Sequence, residues 1–217
     1  MRIGVLGTGA VGRQIATKLV ELGHEVMMGS RSAESEALLE WVQEAGGDAR
    51  GGTFADAASA AELVFNCTSG EASLEALAAA GAKSLAGKVL VDVANPLDFS
   101  QGMPPTLSVC NDDSLCERIQ TAFPEARVVK ALNTMNNQVM TEPGRLPGAH
   151  NVFVCGEDAG AKAAVGELLQ EFGWAPEQII DLGGIAAARG TEMYLPLWLC
   201  LMGSLGTADF NIQVRVP

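Results

Sequence analysis

Basic side chains are scarce in this sequence. Its 217 residues include 14 Lys and Arg against 26 Asp and Glu, a formal net charge of −12. Nucleic-acid binders displace counterions with a basic stripe, and anionic membranes recruit clustered Lys and Arg, so this balance predicts neither partner. Aromatic residues make up only 5%, with a single tyrosine, which argues against base-stacking platforms for single strands. There are two histidines, His24 and His150, and five cysteines, at 67, 110, 116, 155 and 200, without a Cys-x-x-Cys pair. Unclustered ligands predict no metal site, and scattered, odd-numbered cysteines read as reduced thiols of a cytosolic protein. A spanning helix needs about 20 apolar residues. The longest apolar run, Met193 to Leu205, is shorter than that and contains Pro196. The opening Met1–Leu6 runs directly into glycines, unlike a signal-peptide core. These absences predict a soluble, cytoplasmic protein.

What is present is a rhythm of strands and helices. Hydrophobic residues are 48% of the chain, enough for a packed core. Arg2–Leu6, Glu25–Gly29, 50–53, Leu63–Cys67, Lys88–Val93 and Arg127–Leu132 read as strands. Between them, Ala10–Leu22, Glu34–Ala45 and Ser114–Phe123 read as helices, and Thr53/Asp56 and Thr68/Glu71 as capping boxes opening two more. The alternation predicts an α/β fold: a Rossmann-type, doubly wound parallel sheet over residues 1–140. Residues 141–148 hold two prolines and two glycines and read as a connection. A strand (Asn151–Cys155), a helix (Asp158–Phe172), a strand (Gln178–Asp181) and an apolar helix (Ile185–Leu205, kinked at Pro196) predict a small C-terminal α/β domain, 149–217, packed on the first. The apolar helix suits a buried or dimer seam, or a wall beside Met193 and Leu197. Arg189 and Glu192, three apart, are expected to pair.

The chemistry begins at Gly7-Thr8-Gly9-Ala10-Val11-Gly12. A Gly-x-Gly-x-x-Gly carries meaning where it follows a strand and opens a helix, as here. The first glycine makes the turn, the second admits a pyrophosphate, and the third lets helix and strand close up. The helix N-terminus then faces phosphate charge. At the tip of the second strand, an NAD site places an acid on the ribose 2′-hydroxyl. This tip reads Ser30-Arg31-Ser32 and has no acid. Two hydroxyls and a planar guanidinium suit a 2′-phosphate, which predicts NADP. The other strand tips, Cys67-Thr68-Ser69, Asn95-Pro96 and Ala131-Leu132-Asn133-Thr134, are small or neutral and should line the same crevice. Lys130 reads as an ion-paired structural residue. No proton donor stands out, and no catalytic residue is assigned. A carbonyl reductase needs such a donor, whereas hydride exchange between two flat rings does not. A non-catalytic NADP(H) sensor is the other class these features allow.

The stretches Met1–Gly9, Gly23-His24-Glu25-Val26, Gly29–Ser32, Val128–Thr134, Val154–Asp158 and Asp181-Leu182-Gly183 resemble the NADPH-dependent reductases of the deazaflavin coenzyme F420. The resemblance implies hydride transfer between NADP(H) and the deazaflavin, and a homodimer. It implies a pyrophosphate at Thr8–Val11 and a 2′-phosphate at Ser30-Arg31. Cys67 and Thr68 would lie near the adenosine, and Ala131 near the nicotinamide. Asn133 stands where that family typically has histidine. The same fold is similar to the reductase domain of STEAP-type metalloreductases, where the second ring is a flavin. A flavin, a quinone or a metal chelate is therefore the alternative small-molecule acceptor.

Overall fold

The computed structural model describes residues 1–217. In chain order it holds β1 (Arg2–Leu6), α1 (Ala10–Glu21), β2 (Glu25–Ser30), α2 (Glu36–Ala45), β3 (Ala49–Thr53) and α3 (Phe54–Ala60). There follow β4 (Leu63–Asn66), α4 (Ser73–Ala80), α5 (Ala82–Leu85), β5 (Val89–Asp92), a hairpin of β6 (Leu97–Asp98) and β7 (Thr106–Leu107), and α6 (Leu115–Ala122). The chain ends with β8 (Arg127–Ala131), α7 (Asn137–Thr141), β9 (Val152–Cys155), α8 (Ala159–Glu171), β10 (Ile179–Asp181), α9 (Ala188–Met193) and α10 (Leu195–Leu205). None of the helices is long and apolar enough to cross a membrane.

The main sheet has eight strands in the order β10-β9-β8-β5-β4-β1-β2-β3. Every pairing is parallel except β8 with β9. The chain leaves β1 toward β2 and β3, then returns to β4 on the other side. Strand order reverses there, which opens a crevice beyond the carboxyl ends of β1 and β4.

Apolar residues of the inner strands point alternately to the two faces. Ile3, Val5, Phe65 and Val91 pack on one side with Ile15 and Leu19 of α1, Trp41 of α2 and Leu168 of α8. Leu6, Val64 and Leu90 pack on the other with Ala57 of α3, Leu77 of α4, Ile119 of α6 and Ala188 of α9. Strands buried on both faces read as continuous apolar runs, which is why Ile3–Leu6 and Leu63–Phe65 show no polar alternation. The segment after residue 149 adds β9 and β10 to this same sheet, and its Val152, Val154 and Trp174 belong to the same apolar cluster as Ile3.

Several local expectations change. The Thr53/Asp56 capping box forms. The Thr68/Glu71 box does not: the Thr68 hydroxyl bonds to Asn66 Oδ1 at 2.7 Å and pairs with Ser73 Oγ at 2.9 Å. The expected single helix from Ile185 to Leu205 is a 3-10 turn followed by α9 and α10. Pro196 sits in the first turn of α10, where no intrahelical N–H is required, so the helix restarts instead of kinking. Of α10 only Leu195 is buried. Arg189 does not pair with Glu192; it pairs with Glu117, while Glu192 turns inward to Lys130.

Phe65 lies on the central strand β4 with 1% exposure. Phe65→Ala should cost about 3–5 kcal/mol of stability, read as a lower midpoint in urea with an unchanged slope.

Candidate functional site

The crevice starts at the turn from β1 to α1. Gly7 has φ +115°, and a Cβ there would lie 2.7 Å from the Cys67 carbonyl oxygen. A Cβ on Gly12 would lie 2.1 Å from the Gly7 carbonyl oxygen, so only glycine lets α1 close onto this turn. A Cβ on Gly9 would meet nothing within 4 Å, which leaves open space above the backbone at the start of α1. The Gly9 cap offers no side-chain hydrogen bond, and no acid occupies the first turn. Thr8, Ala10 and Val11 flank this opening, whose free N–H groups and helix dipole favour an anion.

Beside it lies a hollow of about 240 Å³ lined by Gly7, Thr8, Ser30, Arg31, Ser32 and Ser35. The three residues of the expected 2′-phosphate pocket have different tasks. The buried Ser30 hydroxyl donates to the Ser32 carbonyl at 2.7 Å and accepts from its N–H at 3.2 Å, which fixes the loop. Ser32 Oγ accepts from Glu34 N–H at 3.2 Å. Arg31 is exposed, with no ion pair inside the chain, and also borders a second hollow with Phe54, Thr68, Ser69 and Ala76. An unpaired guanidinium between two hollows, beside an uncapped helix end, fits a phosphorylated dinucleotide.

The far half of the crevice holds about 260 Å³ and is largely apolar. Cys67, Thr68 and Ser69 reach it from β4, Asn95 from beyond β5, and Asn133 and Met135 from beyond β8. Asn95 Nδ2 donates to the Asn133 carbonyl, and Asn133 Nδ2 donates to Asn95 Oδ1, both at 2.9 Å. Leu132, between Ala131 and Asn133, has φ +65°. A left-handed non-glycine costs about 1–3 kcal/mol, held here by the surrounding packing, and it turns Asn133 toward Asn95. Pro96 and Ala131 are buried at the strand ends and support this floor. Trp198 and Leu195 of α10 form the opposite wall. Burial, and then the Asp92 charge, push the Cys67 thiol far above its ordinary range, so it stays protonated.

Behind the floor is a buried ionic cluster. Lys130 Nζ donates to Asp92 Oδ2 and Glu192 Oε1, each at 2.8 Å, and to the Ala94 carbonyl. Glu192 also accepts the N–H groups of Leu115 at 2.8 Å and Cys116 at 3.1 Å. Asp92 Oδ1 accepts from Asn66 Nδ2 at 2.8 Å, and Asn66 Oδ1 accepts from Thr68. Burial alone would lower the Lys130 pKa, but the two carboxylates outweigh it and raise it. Burial raises the pKa of Glu192 despite the cation. Lys130 has no solvent exposure and does not face the crevice.

A solved structure from Arthrobacter sp. FB24, described as a candidate F420-dependent NADP-reductase, is 54% identical over 100% of both chains, with a TM-score of 0.94. The chain belongs to the F420-dependent NADP oxidoreductase family. The family profile described as "NADP oxidoreductase coenzyme F420-dependent" matches residues 2–96. F420-dependent NADP reductase of Methanothermobacter thermautotrophicus is 29% identical, over 100% of this chain and 91% of its own length. Metalloreductase STEAP3 of Rattus norvegicus is 32% identical over 91% of this chain, which spans only 38% of that protein. By family this chain is an NADP-dependent oxidoreductase.

The part of the site least visible in the sequence is the cluster behind the floor. The sequence points to an ion pair for Lys130 and does not name its partners, which are Asp92 and Glu192. The signal lay in two opposite charges within apolar strands, Asp92 and Lys130, which the sheet sets in register. Glu192, 62 residues further on, had no such signal. Nothing in the sequence points Met135, Leu195 or Trp198 into the crevice, where the fold places them.

Lys130→Met should cost about 3–5 kcal/mol, because it strands two buried carboxylates. Burial already raises the Glu192 pKa, and without the cation it rises further above its unfolded value. Protonation then favours the folded state, so stability is recovered as pH falls toward the unfolded carboxylate range. Thermal melts should show the gap to wild type narrowing from pH 8 to pH 5.

Proposed function

We propose that this chain transfers hydride between NADPH and a flat redox ring, with the deazaflavin F420 as its acceptor. The observation that carries the reading is a row of three adjoining hollows, the first two sharing Arg31 and Phe54 and the last two Thr68 and Ser69. One end offers an open glycine turn and the unpaired Arg31, and the other an apolar slot walled by Asn95, Asn133, Met135 and Trp198. Thr8–Val11 would hold the pyrophosphate, Ser30-Arg31-Ser32 the 2′-phosphate, and Cys67, Thr68 and Ser69 the adenosine side. Ala131, Asn133, Asn95 and Pro96 would line the nicotinamide. Bound NADPH supplies the hydride. The chain's own residues orient two rings and exclude water, and the acceptor's proton comes from solvent, so no catalytic acid is assigned.

In this reading residues 1–140 bind NADP and 149–217 complete the acceptor pocket. A flavin, quinone or metal-chelate acceptor is the second reading, and the similarity to a metalloreductase supports the last of these. The exposed Leu197 and Leu205 on α10 support a homodimer.

Anaerobic stopped-flow mixing with NADPH and F420, flavin mononucleotide or a quinone tests this. Fast NADPH oxidation with bleaching of F420 alone is expected. Bleaching of flavin instead selects the second reading, and tight NADPH binding without oxidation moves the protein to a sensor. Arg31→Ala should weaken NADPH by about 10- to 100-fold, the loss of a charged hydrogen-bond pair, with NADH nearly unchanged. Equal losses for both, measured by nicotinamide fluorescence, would remove the NADP assignment.

A further inference from the structure

The eleven residues after Gly206 form no helix or strand, yet they are tied down along most of their length. Asp209 accepts from Asn136 Nδ2 at 3.0 Å and pairs with Arg145 at 3.1 Å. Those two donors, Asn136 first, hold its carboxyl below the usual range, so the tie is ionised across the physiological range. Asn211 Nδ2 donates to the Asn151 carbonyl and lies against His150 Nδ1, each at 2.9 Å. Asn151 N–H donates to the Ile212 carbonyl at 2.9 Å, and Val214 N–H to Asn151 Oδ1 at 2.7 Å. The tail is thus fastened to the chain just beyond β8 and just before β9.

Between these ties Phe210 stacks on Trp198, with ring centroids 5.4 Å apart and planes 25° from parallel. Trp198 lines the far crevice with Asn133 and Met135, and Phe99 is the other aromatic ring there. Its buried Nε1 has no hydrogen-bond partner in the chain, so hydrogen bonding does not set its orientation. The Phe210 ring is the aromatic partner against which it packs. Asn211, next in sequence, reaches Met135 Sδ at 3.9 Å on the opposite wall. Two adjacent residues of the tail therefore touch both sides of the acceptor slot.

We infer that residues 207–214 are a strap in which Phe210, through Trp198, is a positioning residue that sets the width of the acceptor slot. The inference rests on the crevice being the hydride-transfer site. The NADP end is separate: none of the tail's ties involves the glycine turn or Arg31. The strap governs the second substrate and leaves the dinucleotide alone.

The test compares wild type, Phe210→Ala and Phe210→Tyr, a ring that keeps the stack. Three quantities are read: NADPH affinity by nicotinamide fluorescence, KM and kcat with F420, and amide exchange of 195–205 by mass spectrometry. The expected result for Phe210→Ala is a KM for F420 raised about three- to ten-fold, the worth of a lost aromatic pair. NADPH affinity should stay within about two-fold and exchange in α10 should speed up, with Phe210→Tyr restoring the KM and the exchange. An unchanged KM, or NADPH affinity falling in step with it, overturns the strap. If wild type reduces no acceptor, the hydride-transfer reading fails, and amide exchange alone decides the strap. Faster exchange in Phe210→Ala, restored by Phe210→Tyr, supports it, and identical exchange in all three overturns it.

Discussion

Lys130 sits where three parts of the chain meet, and its charge must be matched because it has no access to water. Asp92 matches it from the neighbouring strand, in register across the sheet. Glu192 matches it from α9, and uses its remaining capacity on the first N–H groups of α6. An isolated buried charge is costly and a paired, hydrogen-bonded one is tolerated, so the three groups hold one another in place. The carboxyl ends of β5 and β8 are thereby fastened to the C-terminal helices. The line extends through Asn66 to Thr68, which opens onto the crevice. The crevice floor is thereby joined to α9, the helix that leads into α10 and its far wall.

The two ends of the crevice are built differently. The glycine turn and the Ser30-Arg31-Ser32 loop each lie within a few residues of one another, and their geometry follows from local backbone demands. The far end is assembled from β4, β5, β8 and α10, with a strained Leu132 turning Asn133 to its partner. That division suits a reaction in which one partner is a common dinucleotide and the other is chosen by shape. Hydride transfer between rings asks for alignment and dryness more than for a proton donor. Apart from Arg31 and the exposed Glu71 and Glu75, the crevice presents neutral amides, hydroxyls and apolar surface, with its buried charges kept behind the floor.

Legibility in the sequence followed distance along the chain. The parallel sheet was readable because apolar runs of strand length alternated with helical spacing, and the turn at Gly7 because a strand precedes it and a helix follows. The Thr68/Glu71 cap failed because the Thr68 hydroxyl had a better partner in Asn66, whose position depends on Asp92 on the next strand. The Arg189–Glu192 pairing failed because both side chains found partners on α6 and β8 instead. Helical spacing states which side chains share a face, and it is silent on which face meets the core.

The sequence by itself determined the α/β rhythm, the glycine turn and the absence of an acid at the end of β2. Each of these is a matter of local conformation or of side-chain type. Tertiary structure alone decided the partners of Lys130, the restart of the last helix with most of its apolar side left open, and the course of the tail over Trp198. Those outcomes depend on which distant groups compete for the same buried space and the same hydrogen bonds, and that competition exists only once the sheet has brought them together.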